Sequence, residues 1–124
     1  MIQLLKSKIH WATVTDANVN YEGSISIYHE YMDKIGILEY EKVLVVNVNN
    51  GKRFETYVIR GADPNNVFCV NGVAARLVSV DDKIIIMAFI GMEAEKETGH
   101  IPRVITLDDS NKVISGVFGR GCEQ

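Results

Sequence analysis

The stretch KVLVVNVNNGKRFETYVIR, residues 42–60, decides the fold class of this chain. Residues 42–48 are mostly β-branched and apolar, a composition that favours a β-strand. Asn49-Asn50-Gly51 supplies a tight turn, and residues 52–60 return as the second arm of a hairpin. The stretch therefore predicts an antiparallel pair of strands.

On the returning arm, strand alternation places two sets of three side chains on opposite faces. Arg53, Glu55 and Tyr57 share one face, and Phe54, Thr56 and Val58 share the other. Because Thr56 and Tyr57 are adjacent, they cannot both face one cavity on a regular strand.

Outside the hairpin, short apolar segments alternate with turn residues along the whole chain. We predict further strands at 4–14, 25–28, 67–70, 83–90, 104–107 and 113–117, a short helix at 29–35 ending at Gly36, and loops at 15–18 and 91–100. Many short strands with closely spaced turns favour an all-β fold, a small closed β-barrel with short helices.

The first predicted strand has one buried and one solvated face. We expect Leu5, Ile9 and Trp11 on the buried face, and Lys6, Lys8 and His10 on the other. From the pattern alone, Lys8 and His10 are interpreted as part of a solvated strand surface.

The 124 residues have the length of one domain, which we place at residues 1–118; residues 119–124 have no pattern and are predicted to be disordered. The net charge of −3, without a basic cluster, argues against a nucleic acid partner. No apolar segment is long enough for a signal peptide or a membrane span, and the two cysteines form no CxxC pair. We therefore expect a soluble, cytoplasmic protein.

Tyr21-Glu22-Gly23-Ser24 contains a peptide bond at which the chain could react with itself. A serine hydroxyl can attack the preceding carbonyl where the backbone is held out of a relaxed conformation, and glycine permits such conformations. Gly-Ser is also a common turn dipeptide, so a solvated turn is the simpler interpretation of this segment by itself. The surrounding motifs must decide between the two.

Together these motifs resemble the pyruvoyl-dependent aspartate 1-decarboxylases. The likeness covers nearly the whole chain and rests on these segments, in order: Lys8-Ile9-His10, Tyr21-Glu22-Gly23-Ser24, Gly36-Ile37-Leu38-Glu39, Asn50-Gly51-Lys52-Arg53-Phe54, Thr56-Tyr57, Val70-Asn71-Gly72-Val73-Ala74-Ala75, residues 82–89, and Pro102. Several separate motifs in the right order are more specific than any one of them.

The resemblance implies a double-psi β-barrel and a homotetramer with sites at subunit interfaces. It implies autocatalytic cleavage of a zymogen between Gly23 and Ser24, which leaves a short N-terminal β chain and a longer α chain. Ser24 becomes a pyruvoyl group that forms a Schiff base with the substrate. The implied reaction converts L-aspartate to β-alanine and CO2 for pantothenate and coenzyme A synthesis. Whether an accessory maturation protein takes part is left open.

The resemblance also assigns roles to individual residues. Thr56 would hold the oxyanion during self-processing and contact the substrate, and Tyr57 would donate a proton to Cα, since a phenol is protonated at neutral pH. The other implied site residues are Arg53 and Lys8 for the substrate carboxylates, Gly72, Val73 and Ala74 for backbone contacts to the substrate, and Asn71 and Tyr21 for lining of the processing site. His10 is left open between a carboxylate contact and a part of the barrel wall.

The opposite directions of Thr56 and Tyr57 leave two explanations, a bulge in the strand or service to two different copies of the site. We favour the second, in which Thr56 serves its own Ser24 while Tyr57, Arg53 and Lys8 reach a neighbour's. An obligate oligomer follows from that hypothesis.

Two other classes of function are compatible with parts of the sequence. A non-enzymatic barrel or swapped-hairpin module would give no reason for Gly23-Ser24, and a related pyruvoyl decarboxylase acting on glutamate differs by only one methylene in its substrate. A pyridoxal enzyme would need a glycine-rich phosphate loop, which the sequence lacks, and His10, His29 and His100 show no metal-ligand spacing. We therefore expect neither a metal nor pyridoxal phosphate.

Overall fold

The computed structural model describes residues 1–96 and 98–118 and shows a mostly β structure. Its strands are β1 (Ile2–Thr13), β2 (Asp16–Asn18), β3 (Ser24–Tyr28), β4 (Lys42–Asn47), β5 (Arg53–Gly61), β6 (Phe68–Asn71), β7 (Lys83–Met92), β8 (Arg103–Leu107) and β9 (Val113–Phe118). One α-helix, α1 (His29–Ile35), and two 3₁₀ helices, Gly72–Leu77 and Ala94–Lys96, complete the elements. Residues 119–124, predicted to be disordered, lie outside the described residues.

The strands form one hydrogen-bonded series in the order β2-β6-β3-β5-β4-β7-β1-β8-β9. β1 and β2 are consecutive in the chain but stand far apart in this series, so the sheet curls round on itself. At the seam, the Thr15 N–H donates to the Phe68 carbonyl at 2.9 Å, and the Val14 N–H donates to the Asp82 carbonyl at 2.9 Å. The prediction of an all-β small barrel is confirmed.

The structure also shows how the barrel closes, and the sheet is not strictly continuous at the seam. Within the described part of the chain, the two outermost strands, β2 and β9, do not pair with each other. The seam is instead bridged by residues 13–15, the segment that leads directly from β1 into β2. The double-psi connectivity stays a prediction.

The hairpin of β4 and β5 is confirmed with its two faces. Val43 and Val45 of β4 are buried, and they stand beside Thr56 and Phe54 of β5. Val58 is fully buried as well, so the Phe54-Thr56-Val58 face points to the core. The opposite face, with Arg53 and Tyr57, points outward.

The expected burial of Trp11 is wrong. β1 has a bulge between Ile9 and Ala12, where Trp11 adopts a left-handed conformation with φ of 69°. The extra residue reverses the alternation, so Ala12 is fully buried while Trp11 is 37% exposed. Sequence alternation alone contains no signal for such a bulge.

Two predicted loops contain regular structure. Residues 16–18 form β2, a short edge strand parallel to β6, although their composition is typical of a turn. The predicted loop at 91–100 begins later than expected, because β7 continues to Met92, and it includes the 3₁₀ helix Ala94–Lys96.

The short helix and its end are confirmed. α1 spans His29–Ile35, and the Gly36 N–H donates to the Met32 carbonyl in the predicted C-cap. Met32 and Ile35 are fully buried in the core. No helix among residues 1–96 and 98–118 is long and apolar enough to cross a membrane.

Asn111 fastens the end of β1 to the turn between β8 and β9. Its side-chain oxygen accepts from the Thr13 N–H at 2.8 Å, and its amide donates to the Thr13 carbonyl at 3.0 Å. The Tyr31 hydroxyl donates to the Asn111 carbonyl. Asn111 is 5% exposed and has φ of 61°, so this amide replaces a missing strand partner at a buried position.

We expect Asn111→Gly to lower the free energy of unfolding by about 2–5 kcal/mol, because two buried backbone groups of Thr13 lose their partners while the positive φ is retained. Asp81→Gly is the matched control, since exposed Asp81 also has a positive φ, 78°, and is expected to change stability by about 1 kcal/mol or less. Urea titration in a Ser24→Ala background, which the sequence predicts to stay one chain, measures both. Equal losses of unfolding free energy in the two variants would contradict the role of Asn111 in fastening the end of β1.

Candidate functional site

Ser24 is the first residue of β3 and is 5% exposed. β3 runs antiparallel to β6 with Ser24 opposite Asn71, and the Asn71 amide donates to the Ser24 Oγ at 3.1 Å. The Ser24 hydroxyl in turn donates to the Glu22 carbonyl at 3.4 Å. The hydroxyl is therefore held back along its own backbone, across Gly23, rather than pointing into solvent.

The Asn71 amide also reaches Ser26, whose Oγ lies 3.5 Å from Nδ2. Sequence reasoning missed Ser26 as a member of this group. Strand alternation could have found it, because Ser24 and Ser26 are two residues apart on β3 and therefore share a face.

Gly72 packs its backbone directly against the segment before Ser24. A Cβ at Gly72 would lie 2.5 Å from the Gly23 Cα and 3.0 Å from the Tyr21 carbonyl oxygen, so no other residue fits without moving that backbone. Gly72 also has φ of 76°, a conformation that glycine adopts without cost. This contact fixes the position of the Gly23-Ser24 bond.

Gly23 does not itself require the special properties of glycine in this structure. Gly23 does not have a positive φ, and a Cβ there would meet no atom within 4 Å. The conformational freedom that the sequence suggested for Gly23 is thus required at Gly72 instead. Gly23 is thus open on the side where a Cβ would lie and packed against Gly72 on another side, and nearby Tyr21 is 64% exposed.

Thr56 and Tyr57 lie in β5, which runs parallel to β3 with Ile25 beside Val58. Both Ile25 and Val58 are fully buried, so the residues before them, Ser24 and Tyr57, belong to the opposite face of the sheet. Tyr57 therefore shares a face with Ser24 in one chain, whereas Thr56 points to the core. No hydrogen bond joins Ser24 to either residue in the described part of the chain.

Lys8 and Arg53 lie on the outer face but far from Ser24. Lys8 is on β1, which is separated from β3 by four strand spacings, about 19 Å measured along the curved sheet, through β7, β4 and β5. Arg53 lies four residues, about 13 Å, along β5 from Tyr57. One chain thus brings Ser24 together with Asn71 and Gly72 and sets Tyr57 on the same face of the neighbouring strand. In the described residues, no hydrogen bond or ion pair joins Lys8 or Arg53 to this group.

His10 is half-buried, and its Nδ1 is one of two buried side-chain nitrogens without a partner among residues 1–96 and 98–118. The other is Arg103 Nε. Burial, with a smaller contribution from Lys8, lowers the pKa of the His10 imidazole, so the ring is neutral at neutral pH. A neutral ring with a free nitrogen can accept or donate one hydrogen bond.

Val73 and Ala74 follow Gly72 in the 3₁₀ helix Gly72–Leu77. Val73 is 78% exposed, and the first N–H groups of any helix lack acceptors inside it. Such N–H groups can bind a carboxylate. In the described residues, no group of three or more His, Cys, Asp or Glu side chains is arranged to hold a metal ion.

The chain matches the family model described as aspartate decarboxylase over residues 1–114. It is 56% identical over 114 residues to an aspartate 1-decarboxylase of Caldicellulosiruptor saccharolyticus, covering 92% of this chain and 89% of that protein. The corresponding protein of Caldicellulosiruptor bescii is 58% identical over 113 residues, covering 91% and 88%. One from Clostridium botulinum is 52% identical over 112 residues, covering 90% and 88%.

We expect Gly72→Ala to destabilise the chain by about 1–3 kcal/mol more than Gly51→Ala does, because a methyl group at position 72 must displace the backbone of Gly23. Gly51 is the matched control: its φ of 74° imposes the same conformational cost, and a Cβ there meets nothing within 4 Å. Urea unfolding of both variants in the Ser24→Ala background measures the difference. Indistinguishable free energies of unfolding would show that the backbone of Gly23 can move away from position 72 without cost.

Proposed function

Because this chain belongs to the aspartate decarboxylase family, we propose that it removes the α-carboxylate of L-aspartate and releases β-alanine and CO2. The proposal includes autocatalytic cleavage between Gly23 and Ser24, conversion of Ser24 to a pyruvoyl group, and a cytoplasmic role in pantothenate and coenzyme A synthesis. The observation that carries it is the buried Ser24 hydroxyl, held by Asn71 and turned back toward the Glu22 carbonyl. In a solvated Gly-Ser turn, the serine hydroxyl would be exposed to water and would not need to be buried and held by a side chain.

Self-processing begins when Ser24 Oγ attacks the Gly23 carbonyl carbon. The Gly23-Ser24 C–N bond then breaks, the hydroxyl proton passes to the released amine, and an ester joins the two residues. Loss of the Ser24 Cα proton expels the Gly23 carboxylate, and water then replaces the nitrogen, which leaves as ammonia. The Asn71 amide supports the first step, because its hydrogen bond orients the attacking Oγ.

Thr56 is the proposed donor to the oxyanion that forms at Gly23. Its support is the parallel register of β3 and β5, in which Ile25 stands beside Val58. If this register continued two residues toward the N-terminus, it would bring Thr56 alongside Gly23 and Tyr57 alongside Ser24. The adjacent residues of β5 would thus serve adjacent residues of the reacting segment.

A pyruvoyl group supplies an electron-withdrawing carbonyl that accepts the electron pair left when CO2 departs. The residues around Ser24 fit such a group, because the position is buried, the Asn71 amide offers a hydrogen bond, and Gly72 keeps the neighbouring backbone close. Tyr57 is the proposed donor of the proton to Cα, since a phenol keeps its proton at neutral pH.

Binding of the substrate carboxylates is assigned to Arg53 and Lys8, with the backbone of Gly72, Val73 and Ala74. The Arg53 side chain is exposed and makes no hydrogen bond or ion pair within residues 1–96 and 98–118, so its guanidinium is free to bind a carboxylate in a bidentate way. His10, with its unpartnered Nδ1, is a further candidate contact. Tyr21 is assigned to the lining of the processing site.

The distances around the barrel support a site formed between copies of the chain. Lys8 and Arg53 are separated from the Ser24 of their own chain by several strands or by several residues along a strand, and a second copy packed against the outer face could supply both. Tyr57 shares a face with its own Ser24, so it need not cross the boundary that the sequence hypothesis gave it. We propose a homotetramer, the assembly that the family resemblance implies.

The first test is the intact mass of the purified protein. We expect two fragments, residues 1–23 and 24–124, the larger one lighter by the mass of ammonia than a peptide that begins with serine. Ser24→Ala should give one uncut and inactive chain, because it removes the attacking oxygen. Decarboxylation of aspartate by an uncut chain that retains its serine would rule out the proposal.

The second test concerns the carboxylate contacts. We expect Arg53→Gln to raise the KM for aspartate about 10- to 100-fold, the effect of losing one charged hydrogen-bonded contact. Lys52→Gln is the matched control, since it removes the same charge from the neighbouring exposed position and should leave the KM unchanged. Steady-state assays with aspartate and glutamate measure both variants, and equal effects would show that Arg53 acts only through overall charge.

A further inference from the structure

Tyr40 has a backbone conformation that its side chain does not favour. Its φ is 70°, in the left-handed region, and its side chain is 71% exposed. Bulky residues are genuine outliers in this region, which glycine and asparagine occupy more readily. Core packing does not explain a tyrosine at this exposed position, so we looked for another contact of its ring.

The turn that contains Tyr40 is fastened to β5 next to Tyr57. The Tyr40 N–H donates to the Val58 carbonyl at 2.7 Å, and the Val58 N–H donates to the Glu41 carbonyl at 3.0 Å. Glu41 is itself held, because Lys6 donates to both of its carboxylate oxygens at 2.7 and 2.8 Å. Tyr40 is therefore held in register with the residue that follows Tyr57.

This arrangement brings the Tyr40 ring against the Tyr57 ring. Their centroids are 6.5 Å apart and their planes are inclined at 49°, within the range of attractive aromatic pairs. The Tyr57 side chain makes no hydrogen bond among residues 1–96 and 98–118, and its only ring contact there is Tyr40. The Tyr40 ring is thus placed to restrict the rotation of the half-buried Tyr57 side chain.

We propose that Tyr40 is a positioning residue that holds the Tyr57 phenol in the orientation from which it donates its proton. This inference rests on the proposed function, in which Tyr57 protonates Cα. A phenol that samples other rotamers spends less time near the reacting carbon, so loss of the Tyr40 ring lowers kcat. Substrate binding does not involve Tyr57, so the KM stays the same.

The test compares Tyr40→Asn, Tyr40→Phe and the control Asp81→Asn. Asparagine tolerates the left-handed conformation, so Tyr40→Asn should fold and cleave normally while its kcat falls about 2- to 10-fold, the size of one lost aromatic pair. Tyr40→Phe keeps the ring and should restore the wild-type kcat. Asp81→Asn makes the corresponding change at another exposed left-handed residue and should alter neither constant.

The same measurements in a Tyr57→Phe background distinguish the role of Tyr40 from that of Tyr57. If Tyr40 acts through Tyr57, Tyr40→Asn should cause no further loss of kcat in that background. A wild-type kcat for Tyr40→Asn, or an equal loss with and without the Tyr57 hydroxyl, would overturn the role of Tyr40 and leave the proposed function standing. A wild-type kcat for Tyr57→Phe itself would remove the proposed proton donor, and the inference with it.

Discussion

The close approach of two backbone segments, at Gly72 and at Gly23, is the constraint on which the site depends. Because Gly72 has no Cβ, the 3₁₀ helix that it begins can lie against the segment before Ser24. Asn71, one residue earlier, then stands opposite Ser24 in the sheet and holds its hydroxyl. Gly72 thus places the 3₁₀ helix, whose N–H groups are proposed to bind a carboxylate, next to Ser24, whose side chain is proposed to attack its own chain.

Much of the fold could be predicted from local pattern. The hairpin of β4 and β5 follows from a β-branched run and an Asn-Gly turn, and the end of α1 follows from Gly36. The bulge at Trp11 could not be predicted, because the number of residues between two paired positions depends on the partner strand. The seam of the barrel is equally non-local, since it depends on contacts of Thr15 and Asn111 with residues about 50 to 100 positions away in the chain.

The sequence proposes which residues belong to the site but not how they are arranged. The order of the motifs named Ser24, Asn71 and Gly72 as one group, and strand registers bring them together. The same motif order says nothing of the strand spacings between Lys8 and Ser24, which depend on the sheet order. The sequence points to Gly23 as the special glycine because Gly23 carries the bond proposed to react, whereas the close approach of Gly72 to that backbone depends on the fold.

The position of the proposed break has a consequence for the finished molecule. Residues 1–23 include β1, which lies between β7 and β8 in the middle of the sheet, with Ile9 fully buried. Cleavage of the chain before β3 would therefore leave residues 1–23 held in the sheet by noncovalent contacts alone. Once denatured, such a two-piece molecule must find its missing strand by diffusion, so recovery would depend on concentration, whereas the uncut chain carries that strand with it. The uncut chain is thus the form that could fold as one body, and a cleaved enzyme would keep a structure that it could not readily regain.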